Sequence, residues 1–119
     1  MAIKLFESEY KVMEVLWKEG DTSAKRIAEI LKEQINWSKT TTYTVIKKCL
    51  EKGTIKRIEP NFICSPLITI DEAREYEAAE LIKNRYNGAA DLLVASIVGH
   101  NNLSKDEIER IKQIVRDLE

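Results

Sequence analysis

Apolar residues recur at helical spacing in the first part of the chain. From about Glu7 to Glu19 they form one stripe that ends at Gly20, which predicts a first helix. From about Thr22 to Gln34 a second stripe follows the i, i+3, i+4, i+7 pattern, with Thr22 or Ser23 as its candidate cap. Two amphipathic helices of this kind need a shared core.

The third segment carries signals at both of its ends. Ser38 is a strong N-cap residue, and Gly53 is the glycine that commonly follows the last turn of a helix. The helix between them is predicted to bury Thr42, Val45, Ile46 and Cys49.

Two short β-prone runs come next. Ile55-Lys56-Arg57-Ile58 and Phe62-Ile63-Cys64 flank the turn residues Glu59-Pro60-Asn61, which predicts a hairpin. Three helices followed by a hairpin are the winged-helix order. The expected fold is therefore mostly α with a small β-hairpin: a winged helix-turn-helix domain over residues 1–70, followed by a C-terminal helical dimerisation domain over residues 71–119.

The C-terminal segment is too short to bury its own apolar residues. Asp71 is expected to cap a fourth helix that runs to about Asn87 and ends at Gly88. Residues 89–98 are apolar on almost every face, and Ser104-Lys105-Asp106-Glu107 is a capping box for a last helix. A tail this short cannot enclose such a helix, so a second copy of the chain is predicted to do so. The residues expected at this dimer interface are Tyr86, Leu92, Leu93, Ile97, Ile108, Ile111, Val115 and Leu118.

Composition indicates a globular protein, and the distribution of charge along the chain indicates where it could bind phosphate. The chain has 119 residues, of which 44% are hydrophobic and 33% charged, as in an ordinary globular protein. We expect a cytoplasmic location, because the sequence offers neither a signal peptide nor an apolar run of about 20 residues. The net charge is −1, yet residues 38–58 hold six basic groups and one acidic group. A local basic stripe of this kind favours phosphate binding.

The third helix and the hairpin supply the candidate DNA-binding chemistry. Hydroxyl side chains at a helix start can reach phosphates or base edges, and threonine methyls can contact thymine methyls. In a helix-turn-helix the second helix crosses the DNA backbone while the third lies in the major groove. The candidate DNA-binding residues are Ser38, Lys39, Thr40, Thr41, Tyr43, Thr44, Lys47 and Lys48 on the helix, with Lys56, Arg57 and Asn61 on the hairpin.

Other kinds of site find little support in the sequence. Cys49 and Cys64 stand in unrelated elements without metal-ligand spacing, which favours two core thiols and no metal site. The sequence has no phosphate loop, dinucleotide fingerprint, nucleophile elbow or HExxH motif. We therefore expect neither an enzyme nor a cofactor. The alternative to a DNA-binding protein is a winged-helix module whose third helix docks another protein.

The chain resembles the penicillinase-repressor family (BlaI/MecI type) over nearly its whole length. The resemblance rests on residues 9–17, Trp37-Ser38, Thr41, Thr44, Lys52-Gly53, Tyr86-Asn87-Gly88, Leu93-Val94 and residues 103–109. It implies a homodimer with interlocked tail helices that binds a palindromic operator and represses transcription, with antibiotic-resistance or stress genes as candidate targets. Family DNA contacts carry over to Ser38, Thr41, Tyr43 and Thr44, with Lys39 and Lys47 as additions.

The chain also departs from that family in places that bear on regulation. Tyr43 stands where relatives often have a basic residue, and the hairpin is about two residues shorter than theirs. Some relatives are inactivated by proteolysis at an Asn-Phe bond in the tail, where this chain has Ser96-Ile97. The resemblance implies an inactivating protease or effector as a possible partner, without identifying it.

Overall fold

The structure is a computed structural model that describes residues 3–100 and 102–119. It divides into two compact units, Met1–Ala78 and Ala79–Glu119, whose boundary falls inside the fourth helix. The elements in chain order are α1 (Glu7–Glu19), β1 (Thr22–Ser23), α2 (Ala24–Ile35), α3 (Lys39–Lys52), β2 (Ile55–Ile58), β3 (Ile63–Pro66), α4 (Ile70–Arg85), α5 (Ala90–His100) and α6 (Lys105–Asp117).

The first unit has the winged-helix architecture that the sequence predicts. Its helices α1, α2 and α3 are followed by the β2–β3 hairpin, which belongs to an antiparallel sheet of strand order β1-β3-β2. The register pairs Thr22 with Cys64 and Arg57 with Cys64 on the opposite side. The strand β3 therefore lies in the middle of the sheet.

The short strand β1 corrects one prediction. We expected the second helix to begin at about Thr22, but Thr22 and Ser23 form a strand that pairs with β3. The helix begins at Ala24, and the Ser23 side chain caps it by accepting from the Arg26 amide at 3.1 Å. A hydroxyl residue before an amphipathic stripe looks the same in sequence whether its backbone is free or paired in a sheet.

One core lies between the helices and the sheet of the first unit. It is formed by side chains from α1, α2, α3, β2 and β3, with Trp17 and Trp37 packed at its edge. The predicted buried face of α3 is confirmed, since Thr42, Val45, Ile46 and Cys49 are all buried. The apolar stripes of the three helices thus explain why these segments fold together.

A buried carboxylate joins α1 to α3. Glu9 is only 1% exposed, and its Oε1 accepts from the Phe6 amide at 2.7 Å and from Lys52 Nζ at 2.6 Å. Lys52 also donates to the Lys4 carbonyl at 2.9 Å. Because a buried carboxylate is costly without partners, Lys52 is a structural residue that ties the last turn of α3 to the start of α1.

The fourth helix starts earlier than the sequence suggested. We expected Asp71 as its cap, but α4 begins at Ile70, and Thr69 exchanges hydrogen bonds with Glu72 at 3.0 Å in each direction. This reciprocal pair is a capping box whose cap, Thr69, lies two residues before the expected one. The helix ends at Arg85 rather than at about Asn87.

The second unit leaves most of its apolar side chains uncovered. Among the described residues, neither α5 nor α6 contains a buried side chain. Leu92 is 50% exposed and Val115 is 51% exposed. The capping box predicted at Ser104 is confirmed by its hydrogen bonds with Glu107 at 3.1 and 3.0 Å, and Leu118 lies just beyond the last helical residue. No helix in the described ranges is both long enough and apolar enough to cross a membrane.

Candidate nucleic-acid interface

The third helix is fixed at both ends by its own side chains and backbone. Ser38 Oγ accepts from the Thr41 amide at 3.1 Å, which satisfies one of the free donors of the first turn. Gly53 adopts a φ of +80°, in the left-handed region that glycine tolerates best, and closes the last turn. The predicted limits of this helix are confirmed, so its outward face has a defined orientation.

A row of hydroxyl, ammonium and phenol groups lines one shallow depression on α3. Thr40, Thr44 and Lys47 are exposed in it, and Tyr43 is half-buried at its edge. The full lining is Lys39, Thr40, Tyr43, Thr44 and Lys47. All five were predicted as DNA-binding residues, and the structure brings them together on one helix face.

The hydroxyl groups of this face differ in which of their hydrogen-bond donor and acceptor functions remain free for a ligand. Ser38 Oγ donates to Thr41 Oγ1 at 2.9 Å and accepts from the Thr41 amide as the helix cap. Its proton and one of its lone pairs are therefore used within the first turn. Thr41 retains its own proton as a donor. Thr44 donates to the Thr40 carbonyl at 2.9 Å, which leaves its oxygen lone pairs and its methyl group free to face a ligand.

The basic stripe predicted over residues 38–58 separates into free and paired charges. Lys39, Lys47, Lys48 and Lys56 are exposed, and in the described part of the chain none of them forms an ion pair. Lys52 is bound to the buried Glu9 and is therefore not available to a phosphate. The stripe is thus narrower than a count of residues suggests, but it remains continuous along α3.

The wing contacts α3 through an aromatic residue that the sequence analysis missed. Phe62 meets Tyr43 edge to face, with ring centroids 6.0 Å apart and an interplanar angle of 85°. The Arg57 guanidinium carbon lies 3.7 Å from the centroid of the Phe62 ring, and Arg57 also pairs with Glu59. On the other side, Lys39 Nζ is 5.7 Å from the centroid of the Tyr43 ring. Arg57 is thus held within the wing, between the Phe62 ring and Glu59, whereas Asn61 stands exposed at the turn.

Helix α2 adds basic groups, one near each of its ends, that sequence reasoning also left out. A groove between α2 and α3 is lined by Lys25 and Lys32 together with Ser38 and Lys39. Lys25 and Lys32 are seven residues apart and so share one face of α2. This spacing was the signal available in the sequence, since the helix before a recognition helix is the one that faces the DNA backbone.

The two cysteines lie in the core, as the sequence favoured. Cys49 and Cys64 are both fully buried and free, and burial raises the pKa of each thiol to about 11. Such thiols stay protonated and unreactive at neutral pH. Within the described residues, no group of His, Cys, Asp and Glu side chains is placed to hold a metal ion.

The arrangement of three helices, a three-stranded sheet and a hydroxyl-and-lysine face on the third helix defines a winged-helix protein. The sequence profile of the penicillinase repressor family matches residues 5–117, and the chain belongs to that family. The resemblance noted in the sequence is therefore confirmed. Membership of a family of repressors also agrees with the expectation that the chain is not an enzyme.

Individual relatives agree with this assignment. The chain is 31% identical over 114 residues to the methicillin resistance regulatory protein MecI of Mammaliicoccus sciuri, covering 94% of this chain and 93% of that protein. Its fold is similar to the solution structure of the DNA-binding domain of the repressor BlaI, with a TM-score of 0.55 and 22% identity over 60% of this chain and 90% of that one. It is also similar to the monomeric form of Bacillus licheniformis BlaI in complex with the blaP half-operator, with a TM-score of 0.54 over the same shares at 22% identity.

Proposed function

We propose that this protein is a homodimeric transcriptional repressor that places α3 in the major groove of each half of a palindromic operator. The observation that carries the proposal is the face of α3, where hydroxyl and ammonium groups are exposed on a helix fixed at both ends. The BlaI structure of the same fold is a complex with a half-operator, which supports this role for the fold. The proposal places the protein in the cytoplasm, with the DNA.

Base reading is assigned to the outward threonines and the tyrosine of α3. Because the Thr44 proton is already donated to the Thr40 carbonyl, Thr44 is expected to accept from an adenine or cytosine amino group or to contact a thymine methyl. Thr41 keeps its proton and can donate to a base acceptor or to a phosphate. Ser38 acts by fixing the first turn, where the helix N-terminus itself favours an anion.

Phosphate contacts are assigned to the unpaired cations around that face. Lys39, Lys47 and Lys48 lie along α3, and Lys56 stands on the wing. Arg57 can add a contact if a phosphate replaces Glu59 as its partner. These charges account for affinity and for register on the duplex, whereas the threonines account for sequence preference.

A second copy of the chain is the proposed cover for the apolar face of the second unit. Leu92, Ile97 and Ile108 are between 37% and 50% exposed, and Leu118 is 83% exposed. Leaving this much apolar surface in water is unfavourable, at about 25 cal/mol for each Å². The half-exposed Tyr86, Leu93 and Ile111 extend the same set. Two-fold pairing of these tails would match a palindromic site.

The experiment that tests the proposal is a gel-shift titration at two salt concentrations. The probes are duplex DNA from upstream of the protein's own gene and a random duplex of equal length. We expect tighter binding to the upstream DNA and a steep loss of affinity with salt. Lys47→Gln should reduce the salt slope by about one, and Lys18→Gln on the exposed end of α1 is the matched control that should not.

Weak and equal binding to both duplexes would contradict the proposal. That result would favour the alternative function, a winged-helix module whose third helix docks another protein. A preference for the upstream DNA that does not respond to salt would also contradict the assignment of phosphate contacts.

A further inference from the structure

One row of side chains connects the recognition face of α3 to the wing. It runs from Lys39 through Tyr43 and Phe62 to Arg57, and we call it the basic–aromatic row. Its members come from the helix, from the turn of the hairpin and from β2. Phe62 is the central member because it alone contacts both the helix tyrosine and the wing arginine. The edge-to-face geometry at 6.0 Å is the arrangement that aromatic pairs prefer.

The backbone at Phe62 adopts a conformation that a bulky residue rarely takes. Its φ is +49°, in the left-handed region that favours glycine, and Asn61 before it has a φ of +73°. The Phe62 carbonyl accepts from the Ala24 amide at 2.9 Å, which ties this backbone to the start of α2. A phenylalanine held in such a conformation by its surroundings points to a role for its ring.

The contact limits how the Tyr43 side chain can move. Tyr43 is half-buried with its ring against that of Phe62, and it also lines the depression that it shares with Thr40 and Thr44. A phenol both donates and accepts, so its hydrogen bond to a base depends strongly on where its oxygen lies. Fixing the ring before DNA arrives also removes the entropy cost of ordering it on binding.

We propose that Phe62 is a positioning residue for sequence recognition: its ring holds the Tyr43 phenol against one base pair of each half-site and couples the wing to the reading helix. The inference rests on the proposed function, since it names how one position of the operator is read. It also gives the hairpin a role that does not need a phosphate contact at its tip.

The test compares a variant that removes the hydroxyl proposed to read the base with a variant that removes the ring proposed to position it. Tyr43→Phe removes only the hydroxyl, and Phe62→Leu removes the ring but keeps an apolar side chain. The probes are an operator selected by the wild-type chain from a random duplex library and a panel of that operator with single base-pair changes. Phe62→Tyr keeps the ring and is the control, and thermal melting verifies that each variant folds.

Both variants are expected to lose preference at the same base pair, by about five- to tenfold, while the other positions keep theirs. The double variant should be no worse than either single variant, because one hydrogen bond cannot be lost twice. Phe62→Tyr should retain the wild-type preference. Affinity for random duplex should change by less than about twofold.

Two results would overturn the proposal. In one, Phe62→Leu weakens binding equally at every position, which is the result expected of a residue that only packs the wing. In the other, Phe62→Leu and Tyr43→Phe affect different base pairs. Failure of the proposed function is distinguishable from both, because the wild-type chain would then select no preferred sequence from the library.

Discussion

The two units of this chain differ in how far they bury their apolar side chains. In the first unit the stripes of α1, α2 and α3 meet in one core, where Val12, Met13 and Ile46 are completely inaccessible. In the second unit α5 and α6 contain no buried residue, although α5 is the most apolar helix of the chain. The first unit buries its apolar stripes within itself, whereas for the second unit we propose that another copy of the chain covers the exposed apolar surface.

The largest effect should come from placing a charge on the uncovered face of α6. Ile111→Asp would force a carboxylate into the proposed dimer interface, where it has no partner. We expect the dimer dissociation constant to rise at least a hundredfold, corresponding to about 3 kcal/mol or more. Sedimentation measures this directly, with Gln113→Asp as the matched control, because Gln113 is exposed on the opposite side of α6 and its substitution adds the same single charge. A dimer that survives Ile111→Asp unchanged would show that this face is not the interface.

The next largest effect should come from breaking the Lys52–Glu9 pair inside the first unit. Lys52→Met keeps the aliphatic stem but leaves the buried Glu9 carboxylate without its cation. We expect a loss of about 2–3 kcal/mol in the free energy of unfolding. Lys48→Met is the control, because Lys48 is exposed and has no ion-pair partner in the described residues. Equal effects of the two changes in a denaturant titration without DNA would contradict the role given to Lys52.

The buried thiols make the stability of the first unit depend on pH. Burial raises the pKa of Cys49 and of Cys64 from about 9 to about 11, so the folded state keeps protons that the unfolded state releases. Their contribution is complete below about pH 9 and is lost as the pH rises through about 11, by roughly 3 kcal/mol for each thiol. Cys49→Ala should make the fall in unfolding free energy between pH 9 and 11 less steep. An unchanged slope would argue against a buried thiol at this position.

The smallest effect should come from replacing two buried threonines, whose substitutions are expected to change the free energy of unfolding in opposite directions. Thr42 Oγ1 is buried and has no hydrogen-bond partner among the residues that the structure describes, whereas Thr54 Oγ1 donates to the Cys49 carbonyl at 3.2 Å. Thr42→Val should therefore raise the free energy of unfolding by about 1 kcal/mol, and Thr54→Val should lower it by a similar amount. Thermal unfolding of the pair distinguishes them, and a loss of stability in both would mean that Thr42 has a partner in solution.

Local signals explain why much of this fold could be predicted from the sequence. Ser38 and Gly53 define α3 from within, and Ser104 with Glu107 defines the start of α6, because each cap involves residues only a few positions apart. The apolar stripes likewise give the buried face of α3 directly. In these elements the determining contacts are close in sequence, and the pattern of residues was sufficient. The Thr69–Glu72 capping box of α4 is equally local and was overlooked in favour of Asp71.

Three other features that were missed depend on contacts between residues that are distant in sequence or on an unusual backbone conformation. The strand β1 exists only because Thr22 and Ser23 pair with β3 about forty residues later, and on their own they look like caps. Lys52 was counted as surface charge because its partner Glu9 lies on another helix. Phe62 was read as an ordinary strand residue, since its left-handed backbone and its contact with Tyr43 leave no local pattern.

The central claim is that the exposed face of α3 reads bases, and Thr44→Ala tests it most directly. Fluorescence anisotropy should compare binding of the wild-type chain and the variant to the upstream duplex and to a random duplex at one salt concentration. The account predicts a loss of about 1–3 kcal/mol on the upstream duplex and nearly unchanged binding to random DNA. An equal loss on both duplexes, or no loss on either, would contradict it.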